Sequence, residues 1–253
     1  MKKSAMSVLT VLIATLSLGG LAAAEGVGVD VSIDYFSKYV WRGQLINDDG
    51  AIQPGIELSF DKLTLGIWGN VDITDYSDNE WEFTEYDYYA DYTTTITDGI
   101  DLSLGVINYY FPSIDQTTEL YAGVTFTEVP LSPSITWYND VDSVEGSYIS
   151  FGVGHTVDEI ASLDESTPIA MEIGASLGWG SKSYNKYYWG GPADSSSLND
   201  LTLSVAFPFS LGSWTVTPSA NYVTLVDSDV KDSDAFDTAS DYFFTGIGLS
   251  TSF

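Results

Sequence analysis

The residue types able to do chemistry are few. His155 is the single histidine, so a serine–imidazole pair has one position from which to work. It shares parity with Ile149, Phe151 and Val153, which puts it on the apolar face near the inner end of its segment. A polar residue at an interface is the plainer reading of it. The chain carries 36 Asp and Glu, so two carboxylates near enough for acid–base work can meet by chance, and no catalytic residue is assigned. Asp227, Asp229, Asp232, Asp234 and Asp237 fall in one segment, with a smaller group at Asp75, Asp78 and Glu80. Such oxygens suit calcium, but the spacing lacks the central Gly and closing Glu of a calcium-hand loop. A solvated acidic loop is the alternative, and the metal question stays open. Arg42 is one of few basic residues and lies among aromatics. Paired with an acid such as Glu119 it would form a constriction or gate charge at the mouth; otherwise it ties its loop to a neighbour.

The elements that must position these residues show a period of two. Val27, Val29, Val31, Ile33 and Tyr35 alternate with Gly28, Asp30, Ser32, Asp34 and Phe36. Ile52 to Phe60 repeats the scheme around Gln53, Gly55, Glu57 and Ser59. A strand with one apolar face alternates in this way, whereas a helix would repeat near 3.6. Twelve such segments run from Val27 to Phe253. A soluble sandwich would hide the apolar faces, and a membrane barrel would turn them to lipid.

Three observations select the barrel. The segments are about ten residues long, the length of a tilted strand crossing a bilayer. Connections alternate, short near Asp61, Asp98, Glu128 and Leu211 and otherwise long and rich in Asp, Asn, Ser and Gly. Residues 157–167 depart from this, being long where a tight turn is expected. Aromatics gather at segment ends, Tyr35, Tyr39, Trp41, Tyr110, Trp137 and Tyr222 at the outer and Phe60, Phe126 and Phe253 at the inner. Pro218 falls inside the eleventh segment and cannot donate to a ladder, so a bulge is expected there. The expected fold is all-β, a single antiparallel transmembrane β-barrel of about 12 strands over residues 25–253, in a bacterial outer membrane.

Residues 1–24 have the layout of a signal peptide, with Lys2 and Lys3, an apolar stretch from Val8 to Leu21, and Ala22-Ala23-Ala24. There is no cysteine to carry a lipid or a disulfide. Loss of Lys2 and Lys3 moves the formal charge from −28 to −30, which excludes nucleic-acid binding through a general positive field. Within the segments Asp30, Asp34, Glu57, Asp72, Asp87, Asp91, Asp101, Glu119 and Glu172 have the parity opposite to the apolar set. They are expected to line a pore, beside Tyr89, Tyr109, Tyr121, Tyr138 and Tyr148.

Ser37-Lys38-Tyr39-Val40-Trp41-Arg42-Gly43 resembles the first-loop motif of the TorF-type porin family. Tyr109-Tyr110-Phe111-Pro112, Glu119 to Gly123, Ser132-Pro133-Ser134, Tyr138 to Asp142 and Gly146-Ser147-Tyr148 are similar to that family's following hairpins. The family has Asp where this chain has Lys38. The resemblance implies a pore-type architecture. The terminal Phe253, with apolar residues at two-residue steps before it, resembles the signal read by the barrel-assembly machinery.

The expected activity is passive, cation-preferring diffusion of small solutes through a narrow acidic lumen. The partners are outer-membrane lipid, that assembly machinery, and small solutes or cations. No cofactor is implied. The rival expectation is a closed surface protein, its lumen plugged by Phe36, Trp68, Ile107 and Phe244.

Overall fold

The computed structural model describes residues 26–76, 80–233 and 239–253. The leader expected at 1–24 lies outside the described residues, as do Asp78, Asp234 and Asp237. In chain order come β1 (Val27–Phe36), β2 (Tyr39–Trp41), β3 (Gln44–Asn47), β4 (Ala51–Phe60), β5 (Leu63–Asp72), β6 (Glu82–Thr97) and β7 (Ile100–Tyr110). Then follow β8 (Thr117–Phe126), β9 (Ser134–Asp140), β10 (Ser147–Asp164), β11 (Thr167–Gly180) and the helix α1 (Lys182–Tyr188). The remainder is β12 (Ser197–Ala206), β13 (Phe209–Leu211), β14 (Trp214–Leu225), the short helix α2 (Ser228–Lys231) and β15 (Asp241–Ser252).

Every strand except β2 and β3 belongs to one antiparallel ring. β1 pairs with β4 on one edge and with β15 on the other, so the sheet has no free edge. Counting β12 and β13 as one wall strand, the barrel has twelve. Its outer surface is apolar, with Ile67, Leu104 and Leu203 each about 45% exposed. Rows of such side chains on all strands would drive aggregation in water and are solvated in a bilayer. Tyr35, Tyr110, Trp137 and Tyr222 are exposed at the outer end and Phe60, Phe126 and Phe253 at the inner. This is the fold of a bacterial outer-membrane barrel.

Three sequence expectations are corrected. Residues 157–167 are not a long loop: β10 runs on for 18 residues to Asp164 and turns tightly into β11. This hairpin extends beyond the length needed to cross a bilayer, with register shifts at 157–161 and 162–164. Pro218 makes no bulge. It stands opposite Ile247 in unbroken register, and the neighbouring strand interrupts itself instead, between β12 and β13 at Phe207-Pro208. Phe207 N still donates to Pro218 O at 2.9 Å, so the missing proline donor costs one bond rather than the register. Tyr39 and Trp41 do not join the outer girdle, because β2 and β3 fold inward.

The inner wall repeats one device. Tyr89 on β6 lies across Gly66 on β5 and donates to Glu57 on β4 at 2.5 Å. Tyr121 on β8 lies across Gly105 and donates to Asp91 on β6 at 2.6 Å. Tyr148 on β10 lies across Gly178 and donates to Asp200 on β12 at 2.8 Å. Each tyrosine thus fastens two strands that do not touch, and the glycine between leaves room for the ring. Gly105→Val would put a Cβ against the Tyr121 ring and 2.5 Å from Ala90 O, which is backbone and cannot step aside. The expected cost is about 1–3 kcal/mol, read as a lower urea midpoint of the refolded barrel.

Candidate functional site

The site is built by the hairpin of β2 and β3. Trp41 pairs with Gln44 across a two-residue turn, Arg42 and Gly43, at φ 46° and 82°. Both positive values match the turn twist that closes tight hairpins, but arginine is an unusual occupant. Its left-handed backbone is held by what the side chain reaches. The guanidinium makes two parallel bonds to the Glu119 carboxylate on β8, each 2.8 Å. It also lies over three rings, Trp41 at 4.6 Å, Tyr138 at 4.3 Å and Tyr148 at 4.5 Å from their centroids. Glu119, 1% exposed, accepts a further bond from the Tyr109 hydroxyl at 2.9 Å. Burial works against the charge on Arg42, but Glu119 outweighs it and holds the guanidinium pKa above its ordinary value.

The rest of the hairpin reaches the other walls. Tyr39 donates to Glu85 on β6 at 2.8 Å and packs against Trp68 on β5, ring centroids 5.8 Å apart. Trp41 meets Tyr109 on β7 at 5.8 Å and Tyr188 on α1 at 5.4 Å. On the opposite side Leu45 packs with Val223 on β14 and Tyr242 on β15, with Val40 and Phe244 beside them. A Cβ at Gly43 would stand 2.7 Å from Asp200 Cβ and 2.9 Å from Leu225 Cδ2, so the tip presses on β12 and β14 as well. The hairpin therefore crosses the outer half of the lumen and is seated on walls all round it. Elsewhere, β9 to β12 border an open space of about 610 Å³, half of whose lining is glycine and serine, with His155 and Glu172 among the rest.

The carboxylates expected to line a pore fall into two groups. Glu119 and Asp72 are buried at the hairpin's level, and Asp72 accepts from Asn70 at 3.0 Å. Asp87 stands in register with Trp68 and Tyr109 at that same level. Lower in the barrel, Asp30 accepts from Ser252 at 2.5 Å, Asp91 from Thr93 at 2.7 Å as well as from Tyr121, and Asp101 from Thr95 at 2.6 Å. Asp34 faces Gly248, Glu57 holds Tyr89, and Glu172 is exposed. Of the four residues expected as a plug, Ile107 sits in the wall, in register with Tyr89 and Glu119. Trp68 and Phe244 form the seat for Tyr39 and Leu45, and Phe36 meets Phe244 edge to face at 6.1 Å.

Sequence reasoning missed Glu85, Asp200 and Gln44. Glu85 has the parity of Asp87 and Asp91, but lies just before the first apolar residue by which that strand is recognised. His155 is exposed with the parity of Phe151 and Val153. No cluster of metal-binding type occurs among the described residues; Asp227 instead caps α2 through the Asp229 amide.

No curated protein matches the sequence. Two solved structures show the same fold. A KdgM porin in complex with disordered oligogalacturonate has a TM-score of 0.52 at 11% identity, covering 89% of this chain and 99% of that one. LpxR from Salmonella typhimurium has a TM-score of 0.52 at 8% identity, covering 88% and 99%. A family model matches residues 21–236, nearly the whole barrel, and the chain thereby belongs to the family described as bacterial protein of unknown function (Gcw_chp).

Proposed function

We propose that this barrel admits small hydrophilic solutes by passive diffusion, cations preferred, with the β2–β3 hairpin as its constriction. The carrying observation is the sign of the inward-facing charge. Asp30, Asp34, Glu57, Asp87, Asp91, Asp101 and Glu172 share the inward parity. Arg42 is neutralised by Glu119 and Lys38 by Asp48, while Lys62, Lys182, Lys186 and Lys231 are exposed. Carboxylates around a water-filled path raise the local cation concentration. The similarity to the KdgM porin fold and the resemblance to the TorF-type porin family support a pore.

Single-channel recording of the refolded barrel in a potassium chloride gradient tests this. Discrete steps with a cation-selective reversal potential are expected, and Asp91→Asn with Glu172→Gln should move that potential toward zero. Steps with anion preference would keep the pore and refute the account of its wall. The ring of contacts around the hairpin favours a second reading, a closed barrel displaying acidic loops. A barrel that remains heat-modifiable on gels but passes no current would select it.

A further inference from the structure

Above the hairpin, facing the outside, lies a cleft of about 430 Å³. Six aromatic side chains border it: Tyr39 and Trp41 from β2, Tyr109 from β7, Phe111 just after that strand, and Tyr187 and Tyr188 from α1. Gln44, Glu85, Asp115 and Thr117 supply its polar groups. Its volume lies in the range of small-molecule sites, roughly 300–1,000 Å³. Gln44 is 2% exposed, yet its Nε2 has no hydrogen-bond partner. An amide donor left unpaired at that burial is costly unless something fills the cleft and accepts from it.

We propose that this cleft binds an uncharged sugar, one pyranose-type ring or the end of an oligosaccharide, at the mouth of the barrel. A sugar ring has apolar C–H faces and a rim of hydroxyls that both donate and accept. The aromatic faces suit the first, being broad and stiff. The Gln44 donor and the Glu85 and Asp115 carboxylates suit the second. The same groups discriminate against charged alternatives. No basic residue borders the cleft, so an anionic sugar meets Glu85 and Asp115 with nothing to offset them. A cation would leave the Gln44 donor unanswered. The cage that suits a cation, Trp41 with Tyr138 and Tyr148, is already filled by Arg42.

The inference deepens the pore reading, since a sugar held here stands at the entrance; the binding itself needs no current. Saturation-transfer NMR on the intact barrel, refolded in a polyoxyethylene detergent that carries no sugar headgroup, tests it. The probes are neutral methyl glycosides and disaccharides, glucuronate and tetramethylammonium. Transfer to neutral sugars alone is expected, with affinity falling about tenfold in Gln44→Leu, the loss of one hydrogen bond. Tyr187, 57% exposed on α1, is the safer variant for folding. Tyr187→Ala should weaken sugar binding and leave heat-modifiability unchanged. Transfer confined to glucuronate or tetramethylammonium would overturn the ligand class, and transfer to no probe would overturn the site. Sugar binding without current would sink the pore alone; current without sugar binding would sink this cleft alone.

Discussion

Replacing Arg42 with methionine is expected to unlatch the hairpin and raise single-channel conductance several-fold, at a cost of about 3–5 kcal/mol in stability. The cost comes from Glu119, which is 1% exposed and would keep only the Tyr109 hydroxyl as partner. Removing one member of a buried pair leaves the other desolvated, and this outweighs the net worth of the pair itself. Methionine retains much of the side-chain volume between Tyr138 and Tyr148, so packing loss is kept small. The companion Arg42→Met/Glu119→Gln should regain part of the urea stability, because a neutral amide is cheaper to bury, while conductance stays high. Conductance of Arg42→Met equal to that of the parent would show that the ion pair does not hold the constriction.

Gly43→Val attacks the opposite anchor. The residue has φ 82°, a backbone region that a β-branched side chain avoids, and its Cβ would lie 2.7 Å from Asp200 Cβ. Backbone strain alone is about 1–3 kcal/mol, before the clash with Leu225 is counted. The wall strands cannot move apart without breaking their ladders, so the hairpin tip must leave its seat. The readout is limited trypsin digestion. Arg42 is the one arginine in the chain, and in the parent its side chain is only 11% exposed, so the bond after it should resist. In Gly43→Val that bond should be cut while the barrel stays folded. Equal resistance in the two proteins would mean that the tip tolerates the side chain and is not wedged against β12.

The walls are legible in the sequence because lipid enforces their pattern. Ile67, Leu104 and Leu203 face a solvent that admits no charge, so their alternation with polar residues survives in every strand that crosses it. Where that solvent ends, legibility ends too. Residues 158–164 of β10 are exposed on both faces, and without an apolar side the period-two signal disappears although the strand continues. The hairpin was hidden for another reason. β2 and β3 have three and four residues, too few to show a period, and they fold against partners remote in the chain. The Arg42–Glu119 pairing was legible as chemistry, a scarce cation beside inward acids. The seat at Gly43, Leu45 and Tyr242 was not, because nothing local records which wall a loop will meet.

In assembly time the hairpin is made early and seated late. Tyr39 to Asn47 leave the ribosome long before β14 and β15, yet Leu45 rests on Val223 and Tyr242 from those strands. Contacts so remote in sequence form only after the intervening chain has been ordered. Pairing of β14 with β15 must therefore come first, because it creates the wall on which Leu45 lands. The hairpin therefore waits, made but unseated, until the last two strands of the chain have been laid against each other.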